Sequence, residues 1–322
     1  MITIIRSAVG SLASVGFIKL LKNMGFKVIG TDISKESVGK FFVDSFYKVP
    51  KASKEDEVIE SYLAIARKER AKWIISGPEE EIIVLSKHKD VFESEGVYIL
   101  HPDYKSLNII TDKYNAYTFL KRKGISLPAT ELATDIKNVV KNSQSKFILK
   151  PRKGRGSTNI VVFSDPDDIP PGVLKNPQNF IIQEYIGGPE CTVDVLCNLQ
   201  GNILNIIPRR RIKVDSGITV IGETERDEKL INITEKILSI IKIIGGACLQ
   251  FIKSDETGSY YLTDINPRFG GGVILSLTSS KTFRENLKNL LGFKWGRLLY
   301  KSYEFDKLRM VRYYDEIYEN KF

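Results

Sequence analysis

Between residues 245 and 272 the chain reads GGACLQFIKSDETGSYYLTDINPRFGGG, and its polar side chains are spaced to meet. Leu249–Ile252 is a short apolar run, and Asp255–Ser259 carries turn chemistry. Tyr260–Ile265 is a second strand, ended by Asn266-Pro267 because proline has no amide hydrogen to continue a ladder. A hairpin in this register brings Gln250 near Asp264 and Asn266, and the last two share one face of an extended strand. Three oxygen donors with one carboxylate suit a hard cation such as Mg²⁺, completed by a substrate's own phosphates. Arg268, just beyond, can meet anionic oxygens through its planar fork. An ordinary hairpin with a solvated polar end fits the same spacing.

The elements that must position this hairpin begin with a βαβ unit. Met1–Ile5 is an apolar strand, Arg6–Ser14 a small-residue loop, Val15–Met24 a helix stopped by Gly25, and Lys27–Asp32 a second strand. Gly10, Gly16 and Asp32 invite a dinucleotide, but the glycine spacing is not that of G-x-G-x-x-G. A helix over Lys54–Glu69, a strand at Trp73–Ser76, a helix over Ile82–Glu93 and a strand at Val97–Leu100 continue the alternation. The pattern predicts a parallel, doubly wound sheet. Sites in such sheets lie at the carboxyl ends of strands, so Gly77–Glu81 can face a substrate. Acidic residues complementing a helix dipole account for Glu79–Glu81 equally well.

His101-Pro102 marks a boundary, and Asp112-Lys113 opens a helix to about Lys123. Phe147–Lys150 is a strand followed by PRKGRGST at 151–158, whose amides and cations can cover phosphates. It is not a Walker A loop, since a strand, Ile160–Phe163, follows instead of a helix. Phe180–Tyr185 leads into a Gly-Gly-Pro turn, and a hairpin turns at Gln200-Gly201-Asn202. On a strand, Arg209, Arg211 and Lys213 share one face, which suits phosphate or a substrate carboxylate. A helix is expected over Glu228–Ile243, another pattern of helix runs to about Leu291, and the tail Leu308–Tyr314 reads as a strand.

Asp-Ile-Asn-Pro-Arg at 264–268, with Gln250 on the preceding strand, resembles the metal-binding strand pair of the ATP-grasp superfamily. The likeness is to the ATP-binding halves of the carbamoyl-phosphate synthase large subunit and to single-unit ligases related to them. It covers nearly all of the chain through the order of its motifs. The resemblance implies an α/β fold, α+β in the C-terminal part. A Rossmann-like parallel-sheet domain over 1–107 would precede an ATP-grasp fold with a small lid subdomain over 108–182 and a catalytic subdomain over 183–322. It implies that Lys113 and Lys150 reach the nucleotide phosphates, beneath a lid containing Gly154, Gly156 and Ser157. Glu184, Tyr185 and Ile186 would read adenine, with Gln183 nearby and Glu190 on the ribose. Lys213 would join the nucleotide site, Lys150, Arg211 and Arg268 would serve catalysis, and Gln250, Asp264 and Asn266 would hold Mg²⁺ or Mn²⁺. The family usually has glutamate where Asp264 stands, which leaves one or two metal ions open.

The activity so implied is ATP-dependent ligation of a small-molecule carboxylate to an amine through an acyl phosphate, with release of ADP and phosphate. An NAD-dependent oxidoreductase using Gly10 and Asp32, or a non-catalytic nucleotide-binding regulator, are the alternatives. Composition narrows the rest. The 322 residues suffice for about two domains. A net charge of +9, from 48 basic and 39 acidic residues, is scattered, with no basic run interleaved with aromatics. No nucleic-acid partner is therefore expected. Three cysteines without a C-x-x-C pair indicate neither a disulfide framework nor a zinc site. No apolar run approaches membrane-spanning length and no cleavage signal precedes the first strand, so a cytoplasmic protein without a membrane partner is expected, with a homodimer left open.

Overall fold

The computed structural model describes residues 1–135, 146–154, 160–165, 169, 171–294 and 299–319. Strands β1 (Thr3–Ser7), β2 (Lys27–Asp32), β3 (Ser45–Lys48), β4 (Ala71–Ile75) and β5 (Tyr98–Ile99) form a parallel sheet in the order β3-β2-β1-β4-β5. Its strands read as continuous apolar runs because both faces are covered. Ile5, Ile29 and Ile74 face the helix Glu55–Glu69 through Tyr62 and Ile65. Their alternates Ile4, Val28 and Trp73 pack with Phe17 and Leu21 of the helix Leu12–Asn23, and with Phe283 and Leu287 of the helix Lys281–Leu291. Trp73 Nε1 also donates to the Leu291 carbonyl at 2.8 Å. The first sheet is thus joined to the last long helix through one core.

A small antiparallel sheet follows: β6 (Thr130–Leu132), β7 (Phe147–Pro151), β8 (Val161–Phe163) and β9 (Phe180–Glu184), in the order β6-β9-β7-β8. The large antiparallel sheet comprises β10 (Glu190–Cys197), β11 (Ile203–Asp215), β12 (Ile218–Thr224), β13 (Gly245–Lys253), β14 (Tyr260–Asn266) and β15 (Arg309–Val311). Its order is β14-β13-β10-β11-β12-β15. The amphipathic helix Glu228–Ile240 and the pair Tyr104–Ile110 and Lys113–Lys121 cover it with Leu230, Ile237, Leu107 and Leu120.

The expected fold class is observed, with local differences. The helix expected over Ile82–Glu93 is two helices, Glu79–Lys87 and Lys89–Ser94, separated at His88, whose ring is tied to Glu55 at 2.5 Å. The helix after Gly272 is also two, Val273–Ser279 and Lys281–Leu291. Ser280 between them has an extended backbone, and its hydroxyl caps the second by accepting from Phe283 N at 3.2 Å. The strand that carries Arg209, Arg211 and Lys213 runs from Ile203 to Asp215, where Ser216 and Gly217 turn it with positive φ into β12.

The large sheet contains a buried ion pair. Arg209 Nε and Nη2 donate to the two oxygens of Asp194 at 2.7 and 3.3 Å, and Ser276 Oγ donates to Asp194 Oδ2 at 2.7 Å. Both charged side chains are at most 2% exposed. The chain cannot relax around a lone charge there, so Asp194→Leu should lower unfolding free energy in urea by about 3–5 kcal/mol. The double variant Asp194→Leu/Arg209→Leu should regain more than half of that loss. Strictly additive losses would mean that the pair is not coupled.

Candidate active site

The site is built on the β13–β14 hairpin. Gln250 lies opposite Asp264 and Cys248 opposite Asn266, so the register expected from sequence is the one formed. Between Gln250 and Phe251 that register slips by one residue at Thr263. The extra residue lets Leu262 and Ile265, three apart, both enter the core, and turns the Thr263 carbonyl outward. Lys150 Nζ donates to that carbonyl at 3.1 Å. Arg268 Nη2 donates to Asn266 Oδ1 at 3.1 Å, and Asp264 Oδ1 accepts from the Ile265 amide at 3.0 Å. Burial pushes the Lys150 ammonium down to about 8, a fall that Asp264 opposes and Lys113 deepens.

Lys113, Lys150, Gly154, Gln183, Glu190, Arg211, Gln250, Asp264, Asn266 and Arg268 all line one cleft of about 510 Å³. Asp112 caps the helix that begins at Lys113, accepting from the Tyr114 and Asn115 amides, and its other partner is Arg152 at 2.8 Å. The cap fixes Lys113 beside the end of β7, where its Nζ donates to the Gly154 carbonyl at 2.7 Å. Gln183 is buried, its amide nitrogen bonded to Thr130 Oγ1 at 2.7 Å. Gly156 and Ser157 of the glycine loop lie outside the described residues.

Other expected residues fall elsewhere. Glu184, Tyr185 and Ile186 are not part of the cleft wall. The amides of Glu184 and Tyr185 bond the carbonyls of Ala129 and Lys146, and the Tyr185 ring is exposed with the Lys146 ammonium 5.8 Å from its centroid. Arg209, Arg211 and Lys213 do not form one cationic face. Arg209 turns inward to Asp194, and register slips on either side of Lys213 send that lysine out of the cleft. Arg211 remains, paired with Glu190 at 2.7 Å and donating to the Gly217 carbonyl at 3.0 Å. Glu190, expected on a ribose, is here the partner of that arginine.

Sequence reasoning missed two residues. Arg6, assigned to a loop, is the fourth residue of β1 and lines the cleft. The readable signal was one charge inside an apolar strand. His101 accepts from the Ser76 amide at Nε2, 2.7 Å, and its Nδ1 lies 3.2 Å from the Pro267 carbonyl. An amide can only donate and a carbonyl only accept, so the ring is neutral with its proton on Nδ1. Burial pushes its pKa down to about 3. His101 thereby fastens the Asn266–Arg268 turn to the end of β4. Burial and Asp264 raise Glu79, in the Gly77–Glu81 segment expected to face a substrate, to about 7, while Lys113 and Arg268 oppose the rise.

Known proteins resemble this chain in sequence and in fold. A model of the ATP-grasp domain matches residues 110–272, and one of the PylC-like N-terminal domain matches residues 9–100. The carbamoyl phosphate synthase large chain, N-terminal section, of Methanopyrus kandleri is 23% identical over 196 residues, which are 55% of this chain and 35% of that protein. This chain therefore spans little more than a third of that relative's length. Among solved structures, N5-carboxyaminoimidazole synthetase from Staphylococcus aureus, complexed with ADP, superposes with a TM-score of 0.70 at 17% identity. It covers 90% of this chain and 77% of its own. The biotin carboxylase domain dimer of 2-oxoglutarate carboxylase from Hydrogenobacter thermophilus, solved with MgADP, ADP and bicarbonate, gives 0.70 at 14% identity. That superposition covers 94% of this chain and 72% of the other. Such identities speak to the fold alone. With slightly more than half of its residues matched by one domain model, and Gln250, Asp264, Asn266 and Arg268 inside the matched segment, the chain belongs to the ATP-grasp family of ligases.

Proposed function

We propose that the chain joins a carboxylic acid to an amine at the expense of ATP, through an acyl phosphate. The observation that carries this reading is the meeting of Lys113, Lys150 and Arg268 with Gln250, Asp264 and Asn266 around one cleft. A carboxylate oxygen attacks the γ-phosphorus, the bond from γ-phosphorus to the bridging oxygen breaks, and ADP leaves. The amine then attacks the acyl carbon, phosphate departs, and the nitrogen loses a proton. Lys150 and Lys113 hold the phosphates, and Arg268 supplies fixed positive charge where negative charge gathers. Preorganised charge of this kind supplies most of phosphoryl-transfer catalysis. Glu79, poised near neutrality and within electrostatic reach of Arg268 and Asp264, is suited to take the amine's proton.

The donor set fits a divalent metal. Gln250, Asp264 and Asn266 offer only oxygen, with a single carboxylate, and no cluster of three or more His, Cys, Asp or Glu suited to a metal occurs among the described residues. Such a set suits Mg²⁺ or Mn²⁺ carried in largely on phosphate oxygens. Bound there, the ion would neutralise charge on the transferred oxygens. We assign residues 1–107 to substrate selection, and 108–182 and 183–322 to the two halves that hold the nucleotide. No helix among the described residues is long and apolar enough to cross a membrane, the three cysteines are free and buried, and the reading keeps the reaction in the cytoplasm.

The oxidoreductase alternative needs Asp32 for a ribose. Its two oxygens instead accept from the Gly10 amide at 2.8 Å and the Ser34 amide at 3.0 Å, bracing the loop after β1. ATP–Mg²⁺ should therefore raise the melting temperature by mass action, and NADH should not. Stabilisation by NADH alone would reverse the assignment.

Lys150 gives a pH signature. Phosphates favour its charged form, so its pKa should be higher in the nucleotide complex than its free value of about 8. Affinity for ATP–Mg²⁺ should be level below that pH, then fall by up to about tenfold per pH unit as pH rises through it. Calorimetry in buffers of different ionisation enthalpy should register proton uptake at pH 8.5 that Lys150→Met abolishes. Equal uptake in both proteins would take Lys150 off the phosphates.

Asp264→Asn keeps the shape and removes the carboxylate. ADP release with a pool of amino acids and small carboxylates should drop about a thousandfold while the protein stays folded. Asp264→Glu should retain activity, with an altered Mg²⁺ to Mn²⁺ preference. Wild-type turnover in the asparagine variant would sink the mechanism.

A further inference from the structure

Arg6 is an ionised side chain whose counter-ion the protein does not supply. It stands in β1 directly after Ile4 and Ile5, which are fully buried, and is itself only 7% exposed. Nη1 donates to the Ile75 carbonyl at 3.0 Å, the guanidinium carbon lies 5.7 Å from the centroid of the Phe17 ring, and Nε is buried with no partner. Among the described residues no carboxylate oxygen comes within ion-pairing distance of it. Glu81 is the acid in electrostatic reach, but Glu81 is buried, accepts from Ser76 Oγ, and is shifted toward its neutral form by desolvation. The other charged neighbour is a second cation, Arg268.

Arg209 in the same protein shows the usual solution for a buried guanidinium, with both oxygens of Asp194 on its nitrogens. Leaving such a charge unmatched is strongly destabilising, so a fold that keeps Arg6 needs an anion from elsewhere. The open side of Arg6 is the cleft, where β1 and β4 end at their carboxyl edges, the usual ligand position of a parallel sheet. Phe17 and Phe269, with ring centroids 4.9 Å apart, wall it on the apolar side. The phosphate-side cations are distinct from this pair: Lys150 feels Asp264 and Lys113, whereas Arg6 feels Arg268, Glu81 and Tyr62.

We propose that Arg6, with Arg268, is the binding site for the carboxylate of the acid substrate. This deepens the ligase reading and rests on it for the name of the ligand. A planar carboxylate accepts from the side of the Arg6 guanidinium that lines the cleft while Arg268 faces the end that receives the phosphoryl group. The arrangement selects substrates by the geometry of an acid group at the first sheet, and leaves nucleotide recognition to Lys113 and Lys150.

The test uses the full chain without nucleotide, in scanning fluorimetry at constant ionic strength. Chloride is exchanged stepwise for acetate or for inorganic phosphate. Wild-type melting temperature should rise in acetate by about 2 °C or more. Arg6→Met should melt higher than wild type in chloride, because an unmatched charge is gone, and should show no acetate response. Arg268→Met should show a reduced response. An acetate response that persists in Arg6→Met overturns the proposal, as does a lower melting point for Arg6→Met in chloride. A response to phosphate alone, dependent on Arg6, overturns the carboxylate assignment. ATP–Mg²⁺ titrated into the same samples separates the two readings: an Arg6-dependent acetate response without any nucleotide response would leave this site standing and remove the ligase chemistry.

Discussion

The Asp194–Arg209 pair is the interaction on which the cleft depends. It joins β10 to β11 in the middle of the large sheet, and through Ser276 it joins both to the helix Val273–Ser279. The Gly270–Gly272 loop lies directly on it. A side chain at Gly272 would collide with the Arg209 guanidinium, and one at Gly270 with Cys248. Glycine is required here for close approach, and none of the three has positive φ. The loop that carries the chain from the Asn266–Arg268 turn into the helix Val273–Ser279 is thereby seated on a fixed, neutralised pair instead of on mobile charge.

From that buried pair outward to the cleft, the cations are matched in decreasing degree. Arg209 is fully paired within the protein. Arg211 has Glu190 and the Gly217 carbonyl, with its Nε left unpartnered. Lys150 has a carbonyl and the field of Asp264, and Arg6 has one carbonyl and an aromatic face. Charges fixed in place but incompletely neutralised are what a site for phosphates and carboxylates requires, since they need no reorganisation when the anion arrives.

Much of this was legible. Alternation of strands and helices gave the first sheet, and the spacing of Gln250, Asp264 and Asn266 gave the register of the hairpin, because period-two geometry leaves little choice. One difference arises where that period breaks. The slips flanking Lys213 move it away from Arg211, and no local composition announces a bulge. Arg209 was placed on the cleft because its partner, Asp194, lies on another strand fifteen residues earlier and becomes a neighbour only through pairing. Arg6 was lost by ending β1 one residue before its charge, at the point where a strand of apolar residues turns from structure to function. Glu184–Ile186 were assigned to adenine by resemblance alone, and the amides of Glu184 and Tyr185 bond the carbonyls of Ala129 and Lys146.

The two walls of the cleft come from different sheets, and their relative position has a physical origin. His101 bonds the end of β4 on one side and the Pro267 carbonyl on the other, and Trp73 bonds the carbonyl at the end of the helix Lys281–Leu291. The imidazole performs the first task only while neutral, and burial beside Arg6 and Arg268 keeps it so. Arg6 and Arg268 are thus held at fixed separation by a residue that bonds the backbone beside both. Side chains other than His101 and Trp73 on the first sheet's carboxyl edge can change without breaking this tie, because the groups those two rings bond are backbone groups.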